Sequence, residues 1–526
     1  MENEKYNSIK QAIPVLAYLV ANVLILFVRG VFWDDWAFYE HPEGIKQTLI
    51  GIGAPWRIGF HLSLLNLSHF LGIDMVIPYR ILIFVIGLLN VLLFRSILKY
   101  WSLNKEIIWY STLLFAVWPL GYAHLEMCCF AYQVGLLLQL ISILLFHRFN
   151  EKKQLYLIPI FVCSQFLATM FLNSCIVLWL GYLFTYTYKE ITLPNSLKNI
   201  FGYIFNKTRL LNLLWFIPGI IFFAIKSVLW QSEGVYAADS YNLITIESLI
   251  MLPMNICSAF INTIVFLLTQ FTGILTSKLL LLIAIVVLMA FWFILKKKSF
   301  NCQREQFSLK TLIIFVLLFL SSIGAYVAIG KIPIFNTMED RHGIFIPFVI
   351  VTFIALLVNA TIKEQQVRKI IFCLCLSVSM TYSFSQYIKC TYYSHQNDVI
   401  VSMFKNTPMP SGNVIVAESE FNIPSRFYTW SGLYRIATGR QDKMFMMVNV
   451  GKLYEQKKEE YLTERLNQKD AVLGEPSIGI FISGNSNNNA RTLLREFYYR
   501  INSNKYRESL KEDFDIRVEF FDSNNN

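Results

Sequence analysis

The chain has 526 residues, of which 55% are hydrophobic and 15% charged, and its mean hydropathy is +0.48. Soluble domains are nearer one quarter charged, so long apolar runs at this composition indicate a polytopic membrane protein and exclude a large soluble one. The net charge of +11 is typical of Lys and Arg in cytoplasmic loops. No nucleic-acid-binding motif accompanies it, so we expect no nucleic-acid partner.

The predicted elements are mainly membrane-spanning helices of about 20 apolar residues each. The segment 57–72 is interrupted by polar residues and is predicted to be an interfacial helix. The apolar stretch 249–272 is predicted to be re-entrant or interfacial, because a crossing there conflicts with the charges on either side. The apolar runs predict about eleven spans, at 11–28, 76–98, 107–120, 128–147, 155–172, 173–188, 210–230, 279–295, 311–330, 343–361 and 370–388.

Basic residues predict the orientation in the membrane. Polar loops rich in Lys and Arg recur from Arg95 to Lys369, and the positive-inside tendency places them in the cytoplasm. The region 231–277 contains no Lys or Arg and is predicted to be external. The N-terminus is then cytoplasmic, and the first loop and the C-terminal region are external.

From about residue 389 the pattern changes to mixed polar and apolar residues with turn signals. We therefore predict two domains: a transmembrane domain over 1–388, and a small extracytoplasmic α/β domain over 389–526. Periodicity in the second domain predicts strands at 414–417, 478–482 and 516–520, and helices at 452–468 and 488–502.

The first external loop contains the motif Phe32-Trp33-Asp34-Asp35-Trp36. Ionised side chains beside a bilayer are rare and usually functional, and paired acids suit general acid/base chemistry. Asp34 and Asp35 are therefore the candidate catalytic residues. The alternative is a solvated loop whose tryptophans anchor it at the interface.

Further polar side chains are predicted on the same side of the membrane. Arginines are suited to phosphate, so this grouping indicates a site for an anionic, membrane-borne substrate. For each residue the alternative is a solvated charge, a weak surface ion pair or a side chain that snorkels. The candidates are Arg57, His61, Arg80, His124, Glu126, Lys226, Glu233, Asp239, Asp340, Arg341 and His342.

Other chemistries find little support in the sequence. It contains no P-loop, dinucleotide fingerprint, HExxH or GxSxG motif. The nine cysteines include no CxxC pair, so neither a zinc site nor a disulfide framework is predicted. We expect no cofactor and no metal. A Mg²⁺ or Mn²⁺ ion held by Asp34, Asp35 and Glu126 stays an open alternative, since carboxylates suit these ions.

The chain resembles the GT-C superfamily of membrane glycosyltransferases. The resemblance rests on Asp34-Asp35-Trp36 in the first external loop, on the interfacial helix, on the many spans and on the external C-terminal domain. The stretch from Arg341 to Pro347 is similar to the Arg-aromatic-x-x-x-x-Pro pattern of these enzymes, with His342 in place of the aromatic residue.

The resemblance implies an inverting glycosyltransferase of the bacterial inner (plasma) membrane. It would transfer a hexose, with glucose favoured, from a polyprenyl-phosphate donor to a surface glycan such as O-antigen. Asp34 or Asp35 would be the base, with Asp34 favoured.

The remaining candidates receive binding roles from the same resemblance. Arg341, His342, Arg80 and Lys226 would hold the donor phosphate. Arg57, His61, His124, Glu126 and Asp340 would contact substrate. Trp430 and Tyr434 of the C-terminal domain are either sugar-stacking rings or core residues.

Three other functions stay open. A polysaccharide polymerase usually relies on arginines in a large central external loop, which 231–277 lacks. A lipid-linked sugar transporter or flippase would have mid-span charges and repeat symmetry. A non-catalytic scaffold would tolerate loss of both aspartates.

Overall fold

The structure is a computed structural model of the chain. It describes residues 2–119, 121, 124–190, 216–233, 244–296, 304–407, 414–419, 427–440, 444–447, 478–484, 489–512 and 514–520. The predicted helix 452–468 and the candidate Asp239 lie outside these residues.

Helices dominate the described part of the chain, because most apolar runs are too long for strands and lack internal breakers. In chain order they are α1 (Glu2–Asn22), α2 (Pro42–Gly51), α3 (Ile58–Leu71), α4 (Val76–Tyr100), α5 (Lys105–Ala116), α6 (Phe130–Lys152), α7 (Leu157–Phe171), α8 (Cys175–Glu190), α9 (Ile217–Leu229), α10 (Ile246–Ile250), α11 (Leu252–Leu275), α12 (Lys278–Lys296), α13 (Leu309–Val327), α14 (Ile346–Thr361), α15 (Gln365–Asn406), α16 (Phe427–Thr438), α17 (Asn489–Phe497) and α18 (Ser503–Lys511).

Six of these helices are long and apolar enough to cross a membrane, namely α4, α6, α11, α12, α13 and α15. Five shorter apolar helices accompany them, at Ala12–Phe27, Leu157–Phe171, Cys175–Tyr186, Ile217–Leu229 and Ile346–Thr361. The protein is therefore a helical membrane protein. The interfacial segment predicted at 57–72 forms α3, a separate helix of 14 residues.

The predicted span 107–120 is helical only to Ala116. A helix of 12 residues is about 18 Å long, which is shorter than the hydrocarbon core of about 30 Å. Most of its residues are buried by neighbouring helices, α1 and α14 among them. Non-helical backbone at membrane depth is tolerated where protein surrounds it, so the stretch after Ala116 can continue the same path.

Helix α11 covers the stretch that the sequence predicted to be re-entrant or interfacial. Near its start, Asn255 donates a hydrogen bond to the carbonyl of Val327 at 3.3 Å. Its last turn packs with Ile388 through Ile274. Val327 ends α13 and Ile388 lies in the second half of α15, so both ends of α11 contact the same end of the bundle.

Helix α15 is a single element of 42 residues, which corresponds to about 63 Å. It extends well beyond a hydrocarbon core of about 30 Å. The domain boundary predicted between 388 and 389 lies inside this helix.

The C-terminal part contains a four-stranded sheet in the order β2-β1-β3-β4. β1 pairs in parallel with β2 and β3, whereas β3 and β4 are antiparallel, with Ile480 opposite Val518. Three strands and helix α17 lie on stretches where the sequence predicted them. The strands are β1 (Val414–Ser419), β2 (Met444–Met447), β3 (Ile478–Gly484) and β4 (Phe514–Phe520).

Candidate functional site

The motif with two aspartates forms a short 3-10 helix, Trp33–Ala37, which we call the acidic turn. Asp35 is completely buried. Its two carboxylate oxygens accept hydrogen bonds from the backbone amides of Met127 and Cys128, each at 2.8 Å. Burial raises the pKa of Asp35 to about 6, although the two amides and Arg80 favour the charged form. These hydrogen bonds fix the acidic turn against the loop before α6.

Asp34 has a different environment from its neighbour. It is only partly buried, and in a 3-10 helix successive side chains diverge by about 120°. Asp35 already uses both oxygens on backbone amides, which suits a positioning role. The partly accessible Asp34 is therefore the better candidate for a group that takes a proton from substrate.

Arg80 binds the stretch of chain that precedes the acidic turn. Its guanidinium is buried and donates to the carbonyl oxygens of Val28 at 3.2 Å and Gly30 at 3.0 Å. It also lies 5.8 Å from the centre of the Phe32 ring and acts electrostatically on Asp35. These contacts give Arg80 a part in shaping the chain that leads into the acidic turn. Its Nη1 atom is buried without a hydrogen-bond partner among the described residues, and its contact with phosphate stays a prediction.

Helix α16 of the C-terminal part packs directly on the acidic turn. A Cβ atom at Gly432 would lie 2.4 Å from the ring of Trp36, so only glycine permits this approach. Arg435 donates to the carbonyl oxygens of Trp36 at 3.2 Å and Tyr39 at 2.7 Å. Trp430 and Tyr434 are 1% exposed and belong to the same hydrophobic core as Trp36. Their role in the structure is core packing.

Glu126 lies in the loop that binds Asp35, and it is fully buried. Its Oε2 atom accepts from the thiol of Cys129 at 3.1 Å and is 3.8 Å from the Cys128 sulfur. Its Oε1 atom has no hydrogen-bond partner among the described residues. Burial raises the pKa of Glu126 well above its usual range, and the nearby charge of Arg341 opposes this.

Arg341 and His342 lie on a second 3-10 helix, Met338–Gly343. Arg341 is 15% exposed and lies 3.8 Å from Glu339, whose other oxygen is 2.9 Å from Nδ1 of His342. The hydrogen bond with His342 lowers the pKa of Glu339 to about 2. Arg341 also acts electrostatically on Glu126 and Cys129, so this cation lies near the loop that holds Asp35.

Asp340 brings the same 3-10 helix against the chain that follows α5. It is 5% exposed, and its carboxylate occupies the space that a side chain at residue 121 would fill. Gly121 is therefore required for this close approach. Asp340 lies at the contact between two segments of the site.

Arg57 and Lys226 form a second cationic group. Arg57 donates to the carbonyl oxygen of Phe171, while its Nε has no partner among the described residues. With its amide oriented to satisfy both groups, Asn173 accepts from Lys226 at 3.1 Å. Arg57 and Arg341 both interact with Tyr132 and with Cys129, so the two guanidinium groups lie on the same region of the site.

Two of the three predicted histidines, His61 and His124, have low basicity. His61 is 2% exposed, and its Nδ1 lies 2.5 Å from the hydroxyl of Tyr79. Burial lowers the pKa of His61 to about 3 and that of His124 to about 4. Both are therefore neutral at physiological pH. His61 packs between aromatic rings, which is a structural role.

The structure thus gathers the acidic turn, the loop 124–129, Arg341, Arg57 and Lys226 at one end of the bundle. Glu233 lies at the edge of this region, where its backbone amide donates to the carbonyl oxygen of Gly51 at 2.8 Å. Contacts from Cys129, Gly432 and Arg435 were not predicted from the sequence. In the sequence, the adjacent cysteines look like ordinary residues of an apolar segment. The contacts of α16 could not be predicted because they join residues about 400 positions apart.

The structure does not bring together the carboxylates of the Mg²⁺ or Mn²⁺ site that the sequence left as an alternative. Among the described residues, the side chains near enough to share an ion are Glu126, Cys128 and Cys129. Asp34 and Asp35 are not in this group. Thiolates suit softer ions than Mg²⁺ or Mn²⁺, so the donor set does not fit the ions considered from the sequence.

Comparison with known proteins identifies no family. The chain matches no protein-family model and no curated protein sequence. A partly buried carboxylate beside a fixed one, next to guanidinium and ammonium groups, can combine proton abstraction with stabilisation of a phosphate leaving group.

Proposed function

We propose that this protein is a GT-C-like membrane glycosyltransferase that moves a hexose from a polyprenyl-phosphate carrier to a cell-surface glycan. The observation that carries the proposal is the placement of the acidic turn against the loop that neighbours Arg341. This arrangement puts a candidate base and a candidate phosphate ligand at one end of the bundle. The sugar proposed is glucose, and the acceptor proposed is O-antigen or a related polymer.

The first chemical role belongs to Asp34. In a single inverting displacement, the acceptor hydroxyl attacks the anomeric carbon and gives its proton to this carboxylate. Asp35 holds the turn through its two backbone hydrogen bonds. Such fixing is valuable because small displacements of a catalytic group reduce the rate strongly.

The second role is stabilisation of the departing lipid phosphate. Arg341 would meet the developing charge, because a guanidinium binds phosphate oxygens through a two-pronged fork. Arg57 is a second phosphate ligand in this proposal, and its partnerless Nε is the supporting observation. Lys226 would add a further positive charge. Preorganised charges of this kind often dominate catalysis.

The proposed topology has eleven crossings, with the N-terminus in the cytoplasm of a bacterial inner membrane and the C-terminal α/β part outside. In this proposal α5 and the chain after it make one crossing, while α11 lies along the external face. The contacts of both ends of α11 with one end of the bundle support that choice. The basic loops support the orientation.

The test is transfer of labelled glucose from polyprenyl-phosphate-glucose in membranes that contain the wild-type protein or a variant. We expect Asp34→Asn to lower transfer by about 100-fold or more, since general base catalysis contributes roughly 10²–10⁴-fold. Glu43→Gln is the matched control, because Glu43 is an exposed acid in the same loop. It should retain wild-type activity.

Two results would contradict the proposal. If wild-type membranes transfer no sugar from any polyprenyl-phosphate hexose, the donor class is wrong. If Asp34→Asn and Asp35→Asn both keep full transfer, the acidic turn is an interfacial anchor. Transport of the lipid-linked sugar across vesicles, in the absence of transfer, would favour the flippase alternative.

A further inference from the structure

Two adjacent thiols and one carboxylate converge beside the acidic turn. The sulfur atoms of Cys128 and Cys129 are 3.8 Å apart. The Oε2 atom of Glu126 lies 3.1 Å from one sulfur and 3.8 Å from the other. Glu126 and Cys129 are buried. These three side chains form the Glu-Cys-Cys cluster.

The spacing within this cluster matches a tetrahedral metal site. Zinc binds thiolate sulfur at about 2.3 Å and carboxylate oxygen at about 2.0–2.2 Å. Two such sulfurs at a tetrahedral angle are about 3.8 Å apart, and a sulfur and an oxygen are about 3.6 Å apart. The sulfur–sulfur distance agrees with the first value, and the two sulfur–oxygen distances lie on either side of the second.

A second observation points to a ligand at this place. Glu126 is fully buried and its Oε1 atom has no hydrogen-bond partner among the described residues. A buried carboxyl group with an oxygen that lacks a hydrogen-bond partner is costly unless a ligand binds it.

We propose that Glu126, Cys128 and Cys129 form a binding site for a thiophilic divalent cation of the zinc class. Three protein ligands leave a fourth position for water or a substrate oxygen. Binding releases the protons of the two thiols and of the protonated carboxyl group. Two thiolates, one carboxylate and the cation carry a net charge of about −1, which Arg341 can balance.

The position of this site gives the cation a consequence for the acidic turn. The backbone amides of Met127 and Cys128 hold the carboxylate of Asp35. A metal bound to Cys128 therefore stiffens the segment that positions Asp35. The inference does not depend on sugar transfer and can be tested on the full-length protein without a substrate.

The experiment is a titration of the purified, reduced, full-length protein in detergent with Co²⁺, followed by displacement with Zn²⁺. We expect a thiolate-to-cobalt charge-transfer band that saturates at one ion per chain and disappears when zinc is added. Cys128→Ser and Cys129→Ser should each weaken cobalt binding by about 100-fold or more, because even second-shell partners contribute 10–100-fold.

Controls separate this site from other thiols and from misfolding. Cys163→Ser and Cys257→Ser remove exposed cysteines outside the cluster and should bind cobalt as the wild type does. Glu126→Gln keeps both thiols and the side-chain volume, so it reports the carboxylate alone and should also weaken binding. Each variant is compared with the wild type by its elution from a size-exclusion column.

Three results would overturn the inference. They are the absence of a thiolate–cobalt band in the wild type, an unchanged band in the Cys128→Ser/Cys129→Ser double variant, and a disulfide between these two cysteines in the protein as isolated from membranes. None of them bears on sugar transfer. Likewise, a protein that binds zinc but transfers no sugar would refute the proposed function alone.

Discussion

Buried charges occur at both ends of the bundle, and the two groups differ in how completely they are paired. At one end, Arg368 binds both oxygens of Glu106 at 2.8 and 3.0 Å, and Asn359 donates to the same carboxylate at 2.9 Å. Arg368 also donates to two backbone carbonyl groups. These contacts of the pair are all made within the protein, as expected of a structural ion pair.

The end with the acidic turn is less completely paired. There, Oε1 of Glu126, Nε of Arg57 and Nδ1 of His124 are buried without partners in the described part of the chain. Such groups cost free energy when nothing binds them. The two groups of charges therefore differ in one respect: the protein pairs both oxygens of Glu106, whereas Glu126 keeps one oxygen without a partner among the described residues.

The largest effect on stability is expected at the closed ion pair. Arg368→Met would leave Glu106 charged and buried, so we expect a loss of about 3–5 kcal/mol in the free energy of unfolding. Denaturant or thermal unfolding in detergent measures it. Lys363→Met, an exposed cation nearby, is the control. Equal stability of the two variants would mean that the ion pair does not hold the bundle together.

Asp35 should make stability depend on pH. Its folded pKa of about 6 lies above the model-compound value of 3.8, so the fold favours the protonated acid. This contribution is complete below about pH 4 and is lost as the pH rises through about 6, a change of about 3 kcal/mol. Asp35→Asn should remove this dependence. Unfolding measured between pH 4 and 7 gives the test, and parallel curves for both proteins would contradict it.

Arg341 should affect activity more than stability. Its ion pair with the half-exposed Glu339 is long, so Arg341→Met should lower the unfolding free energy by less than Arg368→Met, which breaks a two-pronged buried pair. Under the proposed function, sugar transfer should fall by about 100-fold, which is about 2.7 kcal/mol of transition-state stabilisation. Separate kcat and KM values test this. If the variant loses stability but keeps its activity, Arg341 has a structural role and does not bind the donor phosphate.

The smallest effect is expected where α16 meets the acidic turn. Arg435→Met removes two hydrogen bonds to backbone carbonyl groups, and we expect a loss of about 1–2 kcal/mol. Under the proposed function, transfer should fall by about tenfold, because the turn is held less firmly. Arg440→Met, at an exposed position just beyond α16, serves as the control. If both variants behave identically, the contact between α16 and the acidic turn does not influence the site.

The sequence predicted the features that depend on local pattern. Long apolar runs predicted a helical membrane protein, and short apolar or alternating stretches predicted three strands of the sheet. The acidic motif directed attention to Asp34 and Asp35 because charge beside a bilayer is informative by itself. The side of the membrane, the number of crossings and the enzymatic activity stay predictions.

Features that depend on distant contacts could not be predicted in this way. Arg80 was predicted to be a phosphate ligand from its residue type and its place near the end of a span, and only the structure shows that it also donates to the carbonyl groups of Val28 and Gly30. The difference between the environments of Asp34 and Asp35 depends on two backbone amides, which bind Asp35 from a loop about 90 residues away. The Glu-Cys-Cys cluster appears only when that loop folds.

The length of helix α15 sets the distance between two contacts that lie near its opposite ends. Near its first turn, Arg368 donates a hydrogen bond to Glu106. Near its last turn, Phe404 packs with Trp430 and Tyr434 of α16, which in turn contact the acidic turn. Because an α-helix has a fixed rise of 1.5 Å and a rotation of about 100° per residue, its length sets both the height and the angular position of α16. Inserting one residue in the middle of α15 would shift its last turn by about 1.5 Å and rotate it by about 100° relative to its first turn. The contacts of Arg368 and of Phe404 could then no longer both form.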